Sequence, residues 1–361
     1  MAVDGPPPSG PVETGDGSDR KPVDRDDDND NDTGEVTDIE DATRATRVVL
    51  VSCREVIRDP DLDPDLAPLL AALRAEGVDA TVAAWDDPAV DWSGPDLAVL
   101  RSTWDYPARR ADFLAWARAV PRLANPADVV AWNTDKSYLA DLARAGVPVV
   151  PTRWLTPGRP WRAPAAGEWV VKPAVGAGSL DAARYACDDP PQRRLLDAHV
   201  RRLHRRGQRV LLQPYLPDVD HHGETALVFL ADPQRGILCY SHAVRKGPML
   251  TGPRAATAGL FVPEQITPRT ASAAERMVAD RALAAVPGGA ARLLYARVDV
   301  VPGPDGAPVV LELELTEPSL FLAHPPHAAA RFAAAVAAHA GRARPAGSAP
   351  VSGSAATGAA P

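Results

Sequence analysis

Three acidic side chains fall on two neighbouring apolar segments near the end of the sequence. Asp299 lies in the segment RVDVV (residues 297–301), and Glu312 and Glu314 lie in LELEL (residues 311–315). The intervening residues 303–306, Gly-Pro-Asp-Gly, are typical of a tight turn, which predicts a hairpin with the three carboxylates close together. Carboxylates in this arrangement repel one another unless a cation lies among them, and Mg²⁺ prefers such oxygen ligands. We predict a metal site here; the alternative, a solvent-facing edge with alternating glutamates, fits the flanking valines and leucines less well.

A lysine followed by a glycine-rich loop is the second feature. Lys172 comes late in the apolar segment 168–173, where burying an ammonium is costly without an anion nearby. Backbone N–H groups of the following loop can approach phosphate oxygens closely; the loop residues are Gly176, Ala177, Gly178 and Ser179. The spacing matches neither of the two common glycine-rich phosphate motifs. Taken alone, such a loop is more often an ordinary glycine turn, so a phosphate site is a hypothesis that needs other motifs.

Two weaker signals lie on either side of this loop. Lys136 precedes a predicted helix over 138–145, and a lysine in that position is usually just exposed on the helix. Residues 211–216 form an apolar strand that runs into Pro214. The segment Gln213, Pro214, Tyr215 and Leu216 is interpreted as a linker whose backbone could pair with an adenine edge, or simply as a strand end.

The elements that position these residues fall into two parts of different character. Between residues 47 and 120, short apolar strands alternate with helices, which predicts a small α/β domain with a parallel sheet. Ligands of such sheets gather at the carboxyl ends of the strands, where Trp104, Asp105 and Tyr106 are expected to contact substrate. Packing of the two aromatic side chains in the core is a close alternative. The second part contains strands with short connections, which predicts a largely antiparallel sheet. One of these strands is predicted over residues 147–152.

Composition restricts the class of protein and its partners. Residues 1–46 hold 14 acidic and 4 basic side chains, and the formal net charge of the whole chain is −8, so the remainder is close to neutral. This excludes a general affinity for nucleic acid, and the arginine-rich stretch 201–206 is explained by a solvated helix face. No long apolar run predicts a membrane span or a signal peptide. The three cysteines show no pairing pattern, which fits a cytoplasmic protein.

The predicted organisation has four parts. Residues 1–45 are expected to be a disordered acidic tail because they cannot bury enough apolar surface to offset chain entropy. Residues 46–130 form the α/β domain, residues 131–340 form a second domain, and residues 341–361 form another disordered tail. The oligomeric state stays open, a homo-oligomer included.

The order of these motifs resembles that of the ATP-grasp superfamily, in its glutathione-synthetase-like group. A lysine before a helix is followed by a strand–lysine–proline–glycine loop, then by Gln-Pro-Tyr-Leu, and finally by Asp and Glu-x-Glu. Residues 312–318 resemble the E-x-N-x-x-x-P magnesium motif of that group, with Glu314 in place of asparagine. Residues 101–106, 241–246 and 317–322 are similar to those of proteins related to the cycloserine-forming O-ureidoserine cyclo-ligase. The likeness covers about residues 47–340 and implies an ATP-grasp fold that follows an N-terminal α/β domain.

The resemblance implies a role for each matching position. Lys136 and Lys172 would bind the phosphates of ATP, and the glycine loop 176–179 would cover them. Residues 213–216 would line the adenine slot, with Glu224 on the nucleotide side. Asp299, Glu312 and Glu314 would bind Mg²⁺ or Mn²⁺. Arg254 matches an arginine that steadies the acyl phosphate, although the stretch usually ends in paired glycines and here Gly259 is followed by Leu260 and Phe261. Two further cations, Lys246 and Arg297, are either catalytic or plain structural ion pairs.

The reaction implied is ADP-forming ligation of a carboxylate to an amine. An acyl phosphate would form from a small amino-acid-like carboxylate and then be captured by an amine-type nitrogen. A ligase for other amino acids or peptides, a phosphotransferase, and a non-catalytic ATP-binding protein are the alternatives.

Overall fold

The computed structural model describes residues 44–343, except Thr251 and Arg254, and these residues form three sheets. Both predicted tails lie almost entirely outside the described residues. The first sheet is parallel, in the order β2-β1-β3-β4, and confirms the predicted α/β arrangement. Its strands are β1 (Arg47–Ser52), β2 (Asp79–Ala84), β3 (Leu97–Leu100) and β4 (Leu123–Ala124). Its helices are α1 (Arg54–Arg58), α2 (Leu66–Ala75) and α3 (Arg110–Ala119), with 3₁₀ turns at Pro60–Leu62 and Tyr106–Arg109.

Two short helices, α4 (Ala127–Asn133) and α5 (Tyr138–Arg144), lead into a second, antiparallel sheet of order β5-β8-β6-β7. This sheet contains β5 (Arg153–Leu155), β6 (Glu168–Pro173), β7 (Ala183–Ala186) and β8 (Val210–Pro214), and it packs against α6 (Pro190–Arg205). The strand predicted over residues 147–152 is wrong, because the segment forms only an isolated bridge between Val149 and Val310. Pro148 and Pro151 cannot donate backbone hydrogen bonds, which prevents a continuous ladder.

The third sheet is antiparallel, in the order β11-β10-β9-β12-β13, and follows the single turn of α7 (Val219–His222). Its strands are β9 (Glu224–Ala231), β10 (Leu238–Lys246), β11 (Ile266–Arg269), β12 (Tyr295–Pro302) and β13 (Pro308–Glu314). A 3₁₀ turn at Ala290–Arg292 and the helices α8 (Ala273–Ala284) and α9 (Ala328–Ala343) complete the fold. All eight residues of β9 are buried, because sheet neighbours lie on both edges and apolar side chains cover both faces. The antiparallel character predicted for the second part of the chain is therefore confirmed.

Asn125 joins the first sheet to the third. Its side-chain amide donates to the backbone oxygens of Tyr295 (3.0 Å) and Leu315 (2.8 Å), and its Oδ1 accepts the N–H of Leu294 (2.7 Å). The side chain is fully buried, so water cannot replace it as the partner of these three backbone groups. The first sheet is thus tied directly to the two strands that carry the acidic residues.

Replacing Asn125 by alanine is expected to lower the free energy of unfolding by about 4 kcal/mol. Three buried backbone groups would lose their partner, and each unsatisfied group costs roughly 1–3 kcal/mol. Urea denaturation followed by circular dichroism measures the loss. The control is Gln234→Ala, an exposed loop position expected to change stability by less than about 0.5 kcal/mol. Equal stabilities for the two variants would contradict this account.

Candidate active site

A cavity of about 540 Å³ lies between the second and third sheets and is closed on one side by loops of the first part of the chain. This size is within the usual range for small-molecule sites. Its lining divides by chemistry into an apolar end, a charged cluster and an aromatic end. The predicted residues that line it are Trp104, Tyr106, Lys136, Lys172, Gly176, Ala177, Gly178, Ser179, Gln213, Pro214, Tyr215, Leu216, Glu224, Lys246, Arg297, Glu312 and Glu314.

The apolar end is built around Val150, Leu216 and Val301, three buried side chains that pack together. The strand end 213–216 forms one wall. Gln213 donates from Nε2 to Thr152 Oγ1 (2.9 Å), and the backbone N–H of Tyr215 donates to the backbone oxygen of Glu168 (2.8 Å). These bonds hold the strand end against the apolar side chains, and such a surface can pack against a planar heterocycle.

The register of β12 and β13 confirms the predicted hairpin. Asp299 pairs with Glu312, and Arg297 pairs with Glu314. The turn closes through hydrogen bonds from Gly303 N–H to the Ala307 oxygen (2.7 Å) and from Gly306 N–H to the Gly303 oxygen (2.9 Å). Strand alternation therefore directs the side chains of these four paired positions to one face, as the spacing predicts.

Lysine and arginine side chains of the chain itself neutralise the negative charge of most of the acidic side chains at this site. We define the charged cluster as the cations Lys136, Lys172, Lys246 and Arg297 with the carboxylates Glu224, Glu264, Asp299, Glu312, Glu314 and Glu317. Lys136 Nζ lies 2.8 Å from Glu312 Oε1, and Arg297 binds Asp299 through Nε (2.8 Å) and contacts Glu314. The mutual repulsion expected from the sequence is thus offset by ion pairs that the strand pattern alone does not show.

Lys246 is surrounded by acidic side chains. Its Nζ lies 3.1 Å from Asp299, 3.0 Å from Glu264 and 3.4 Å from Glu224. Burial alone would raise the pKa of Asp299, but Arg297 and Lys246 hold it below its usual value. Asp299 is only 1% exposed and lies behind the cavity wall, whereas Glu312 and Glu314 line the cavity. The metal roles of all three stay predictions.

Lys172 differs from the other cations of the cluster because it forms no ion pair with a described residue. Burial lowers the pKa of its ammonium, and the positive charges of Lys136 and Lys246 add to this effect, while Glu312 opposes it. A partly desolvated ammonium without a counter-ion binds an anion strongly. The cavity therefore contains a preformed site for a negatively charged group.

The glycine loop closes the cavity above the two lysines. Lys136 Nζ donates to the Gly176 oxygen (2.7 Å), and the Val262 N–H donates to the Gly178 oxygen (2.9 Å). Gly178 has φ +59°, and a Cβ built on it would lie 2.4 Å from the Leu260 oxygen. The loop and the segment 260–262 are therefore in contact at a distance that only glycine permits.

The aromatic end joins the first part of the chain to the residues that follow β13. Trp104 Nε1 donates to the Glu317 oxygen (3.0 Å), and its ring meets Phe261 edge-on with centroids 5.2 Å apart. Tyr106 is buried and contacts the Glu317 carboxyl. Asp105 instead accepts from Trp85 Nε1 (2.9 Å) and pairs with Arg109 (2.9 Å), outside the cavity lining. Its substrate role stays a prediction that this placement does not favour.

Several site residues were not singled out from the sequence, and Arg254 cannot be placed. Glu264 reaches Lys246 from the loop before β11, and nothing in its sequence neighbourhood indicates this. Asp65 accepts the N–H groups of Leu320 and Leu322, both at 2.6 Å, and so holds the loop that carries Glu317. Glu317 lies within the segment 312–318 that resembles the magnesium motif, but the motif assigns no role to its carboxyl. Arg254 lies outside the described residues, so its role stays a prediction.

The comparisons with known proteins agree with this geometry. Residues 48–125 match the family model described as the N-terminal domain of D-cycloserine synthetase DcsG. The cycloserine biosynthesis protein DcsG of Streptomyces lavendulae is 43% identical over 283 residues, which cover 74% of this chain and 90% of that protein. The crystal structure of D-cycloserine synthetase DcsG has a TM-score of 0.71 and 39% identity, and the match covers 82% of this chain and 100% of that chain.

More distant structures share the fold alone. D-alanine–D-alanine ligase of Bacillus anthracis, complexed with ATP, has a TM-score of 0.54 at 15% identity, covering 83% of this chain and 97% of that chain. The ATP-grasp RimK domain protein of Sphaerobacter thermophilus has a TM-score of 0.51 at 18% identity, and the match covers 80% of this chain and 98% of that chain. The predicted ATP-grasp fold is thus confirmed.

These findings define the class of protein first: an ATP-dependent ligase of the ATP-grasp type, joining a carboxylate to an amine with formation of ADP. The chain belongs to the ATP-grasp family of the D-cycloserine synthetase DcsG. Within the described residues, no helix is both long and apolar enough to cross a membrane.

Replacing Gly178 by alanine is expected to weaken ATP binding at least about tenfold. The new Cβ meets backbone at Leu260 and Phe261, so the contact between the two loops must open. The left-handed conformation adds roughly 1–2 kcal/mol of strain. The control is Gly207→Ala, which has φ +73° and no atom within 4 Å, so it has the strain without the clash. Isothermal titration with ATP measures the loss of affinity caused by the clash, and a thermal melt measures the loss of stability caused by strain. Equal ATP affinities of Gly178→Ala and Gly207→Ala would contradict a role of the loop contact in binding.

Proposed function

We propose that this enzyme converts a small amino-acid-like carboxylate to an acyl phosphate and captures it with an amine-type nitrogen. The observation that carries the proposal is the unpaired ammonium of Lys172, which faces a cavity beside Glu312 and Glu314. An anion of high charge fits that position, and the γ-phosphate of ATP is such an anion. Membership of the DcsG family supports the same reaction class.

The cavity accommodates ATP in one direction. Adenine fits the apolar slot around Val150 and Leu216, with the strand end 213–216 along its edge. The phosphates then extend toward Lys172 and Lys136, under the loop of residues 176–179. Backbone N–H groups in such a loop supply hydrogen bonds to phosphate oxygens without adding charge.

A divalent cation would neutralise the excess of negative charge in the charged cluster. Six carboxylates of the charged cluster face four cations, which leaves an excess of two negative charges when all are ionised. In the described residues, no three His, Cys, Asp or Glu side chains form a preformed metal centre. Glu312 and Glu314 would hold Mg²⁺ together with phosphate oxygens and water, as is usual for this ion. When bound, Mg²⁺ neutralises negative charge on the transferring phosphoryl group.

The two chemical steps follow from this arrangement. The substrate carboxylate attacks the γ-phosphorus, and ADP leaves while Lys136 and Lys172 offset the charge on the phosphates. The nitrogen nucleophile then attacks the acyl carbon and phosphate departs. Arg297, on β12, donates to the Ser319 backbone oxygen (3.1 Å) and lies over the Phe321 ring, and we assign it to stabilise the oxyanion formed at that carbon. Contact between the glycine loop and residues 260–262 excludes water, which would hydrolyse the acyl phosphate.

The aromatic end accommodates the carboxylate substrate and its nucleophile. Trp104, Tyr106, Phe261 and Phe321 line this end of the cavity, and we assign the small substrate to the space beside their rings. A relative is named a D-cycloserine synthetase, and the resemblance described above connects this family with O-ureidoserine. We therefore take O-ureidoserine as the first substrate to test, with cyclisation through its own nitrogen.

Replacing Glu312 by glutamine is expected to reduce Mg²⁺-dependent turnover at least about 100-fold, because one ligand charge and the partner of Lys136 are both lost. ADP formation is measured across a Mg²⁺ titration. Glu76→Gln, at an exposed helix end, is the matched control and is expected to behave as wild type. Wild-type turnover with wild-type Mg²⁺ dependence in Glu312→Gln would remove this residue from the metal site.

ADP and phosphate are expected to appear together, and only when carboxylate and amine are both present. The assay combines the enzyme, ATP and Mg²⁺ with O-ureidoserine, and separately with pairs of D- and L-alanine, D- and L-serine and ammonia. ADP without phosphate release would indicate a phosphotransferase. Turnover only with separate amino acids would replace ring closure by linear ligation.

A further inference from the structure

Glu317 is the exception among the carboxylates of the charged cluster. Glu312 is paired with Lys136, and Glu314 with Arg297, while Lys246 binds the other three. Glu317 has no ion pair with any residue that the structure describes, although it lines the cavity. Its carboxyl is therefore the one acidic group of the cluster that is not held by a cation.

Neutral groups and backbone hold Glu317 in place. Its backbone oxygen accepts from Trp104 Nε1 (3.0 Å), and the Tyr106 hydroxyl lies near its carboxyl and lowers the pKa of that group. The loop beyond it is fixed because Leu320 and Leu322 donate their N–H groups to Asp65. Glu317 thus lies where the charged cluster meets the aromatic end, in the part of the cavity to which the proposed reaction assigns the carboxylate substrate.

We propose that Glu317 is the general base that removes a proton from the attacking nitrogen; this inference rests on the function proposed above. The nitrogen lone pair forms the C–N bond while the carbonyl π pair moves onto its oxygen, so the nitrogen becomes positively charged and the oxygen negatively charged. The proton passes from nitrogen to a Glu317 oxygen, and the N–H electron pair stays on nitrogen. The oxygen pair then re-forms the carbonyl as the C–O bond to phosphate breaks, and phosphate leaves with the electrons of that bond. Glu317 afterwards releases the proton to water or to the departing phosphate.

The surroundings of Glu317 suit this role. Burial raises its pKa to about 7, and Glu312 acts in the same direction, whereas Lys136, Arg297 and the Tyr106 hydroxyl oppose it. A carboxyl that titrates near neutral pH can both accept and release a proton efficiently. Only the ionised form accepts a proton, so the rate of C–N bond formation should rise with pH through about 7 and then level off.

The first test compares wild type with Glu317→Gln, using O-ureidoserine, ATP and Mg²⁺, and the amino-acid pairs above. Amide formation is expected to fall at least about 100-fold, the usual contribution of a general base, and the rising pH limb should disappear. Positional isotope exchange in labelled ATP, which reports reversible acyl phosphate formation, should be retained. ATP affinity should stay within about twofold, because Glu317 lies outside the proposed nucleotide contacts. Glu76→Gln is again the matched control.

The second test uses Tyr106→Phe. The hydroxyl lowers the pKa of Glu317, so its removal should raise that pKa and move the rising limb to higher pH. Infrared spectra of wild type and Glu317→Gln at a series of pH values measure the same titration without turnover. A carboxyl band that changes near pH 7 in wild type should be missing in the variant.

The outcomes separate the two proposals. If wild type forms ADP and amide, and Glu317→Gln keeps both the rate and the pH limb, Glu317 is not the base while the ligase function stands. Parallel loss of ATP affinity, isotope exchange and amide formation would show a structural role only. If wild type binds ATP but forms no ADP with any of these substrates, both proposals fall together.

Discussion

Charge compensation on the hairpin of β12 and β13 is the interaction on which the rest of the site depends. Burying carboxylates beside one another is unfavourable unless cations share the same space, and here Arg297 is shared by Asp299 and Glu314. Lys136 and Lys246 extend the network to the preceding helices and to β10. The cavity exists because these pairs replace water around groups that would otherwise have to stay solvated.

The first part of the chain completes this cavity rather than standing apart from it. Asn125 satisfies backbone groups of β12 and of the residue after β13, while Trp104 and Asp65 bond to the loop that follows. The charged cluster and the aromatic end therefore share one frame. Side chains from both parts of the sequence therefore line one cavity, and their relative positions depend on this shared frame.

Local sequence rules account for much of the fold and part of the site. The hairpin register follows from the turn at Gly303 to Gly306 and from strand alternation, so Asp299 and Glu312 are correctly paired. Long-range partners are beyond such rules: no local pattern shows that Lys246 is surrounded by carboxylates, or that Lys172 and Glu317 form no ion pair with a described residue. The same limit applies to Asp105. Its position at a strand end predicts a contact with substrate, but its carboxylate forms an ion pair with Arg109. The apolar character of residues 147–152 predicts a strand, but their two prolines prevent a continuous ladder.

The hydrogen bonds between Asp65 and the loop after β13 determine which positions of that loop can change in sequence without loss of its attachment. Both acceptors of Asp65 are engaged by backbone N–H groups, of Leu320 and Leu322, which every residue except proline possesses. Phe321 lies between them and lines the cavity, yet its side chain takes no part in this attachment. Mutations at position 321 can therefore reshape the aromatic wall while the loop keeps its anchor, so new substrate preferences can arise without dismantling the scaffold that supports them.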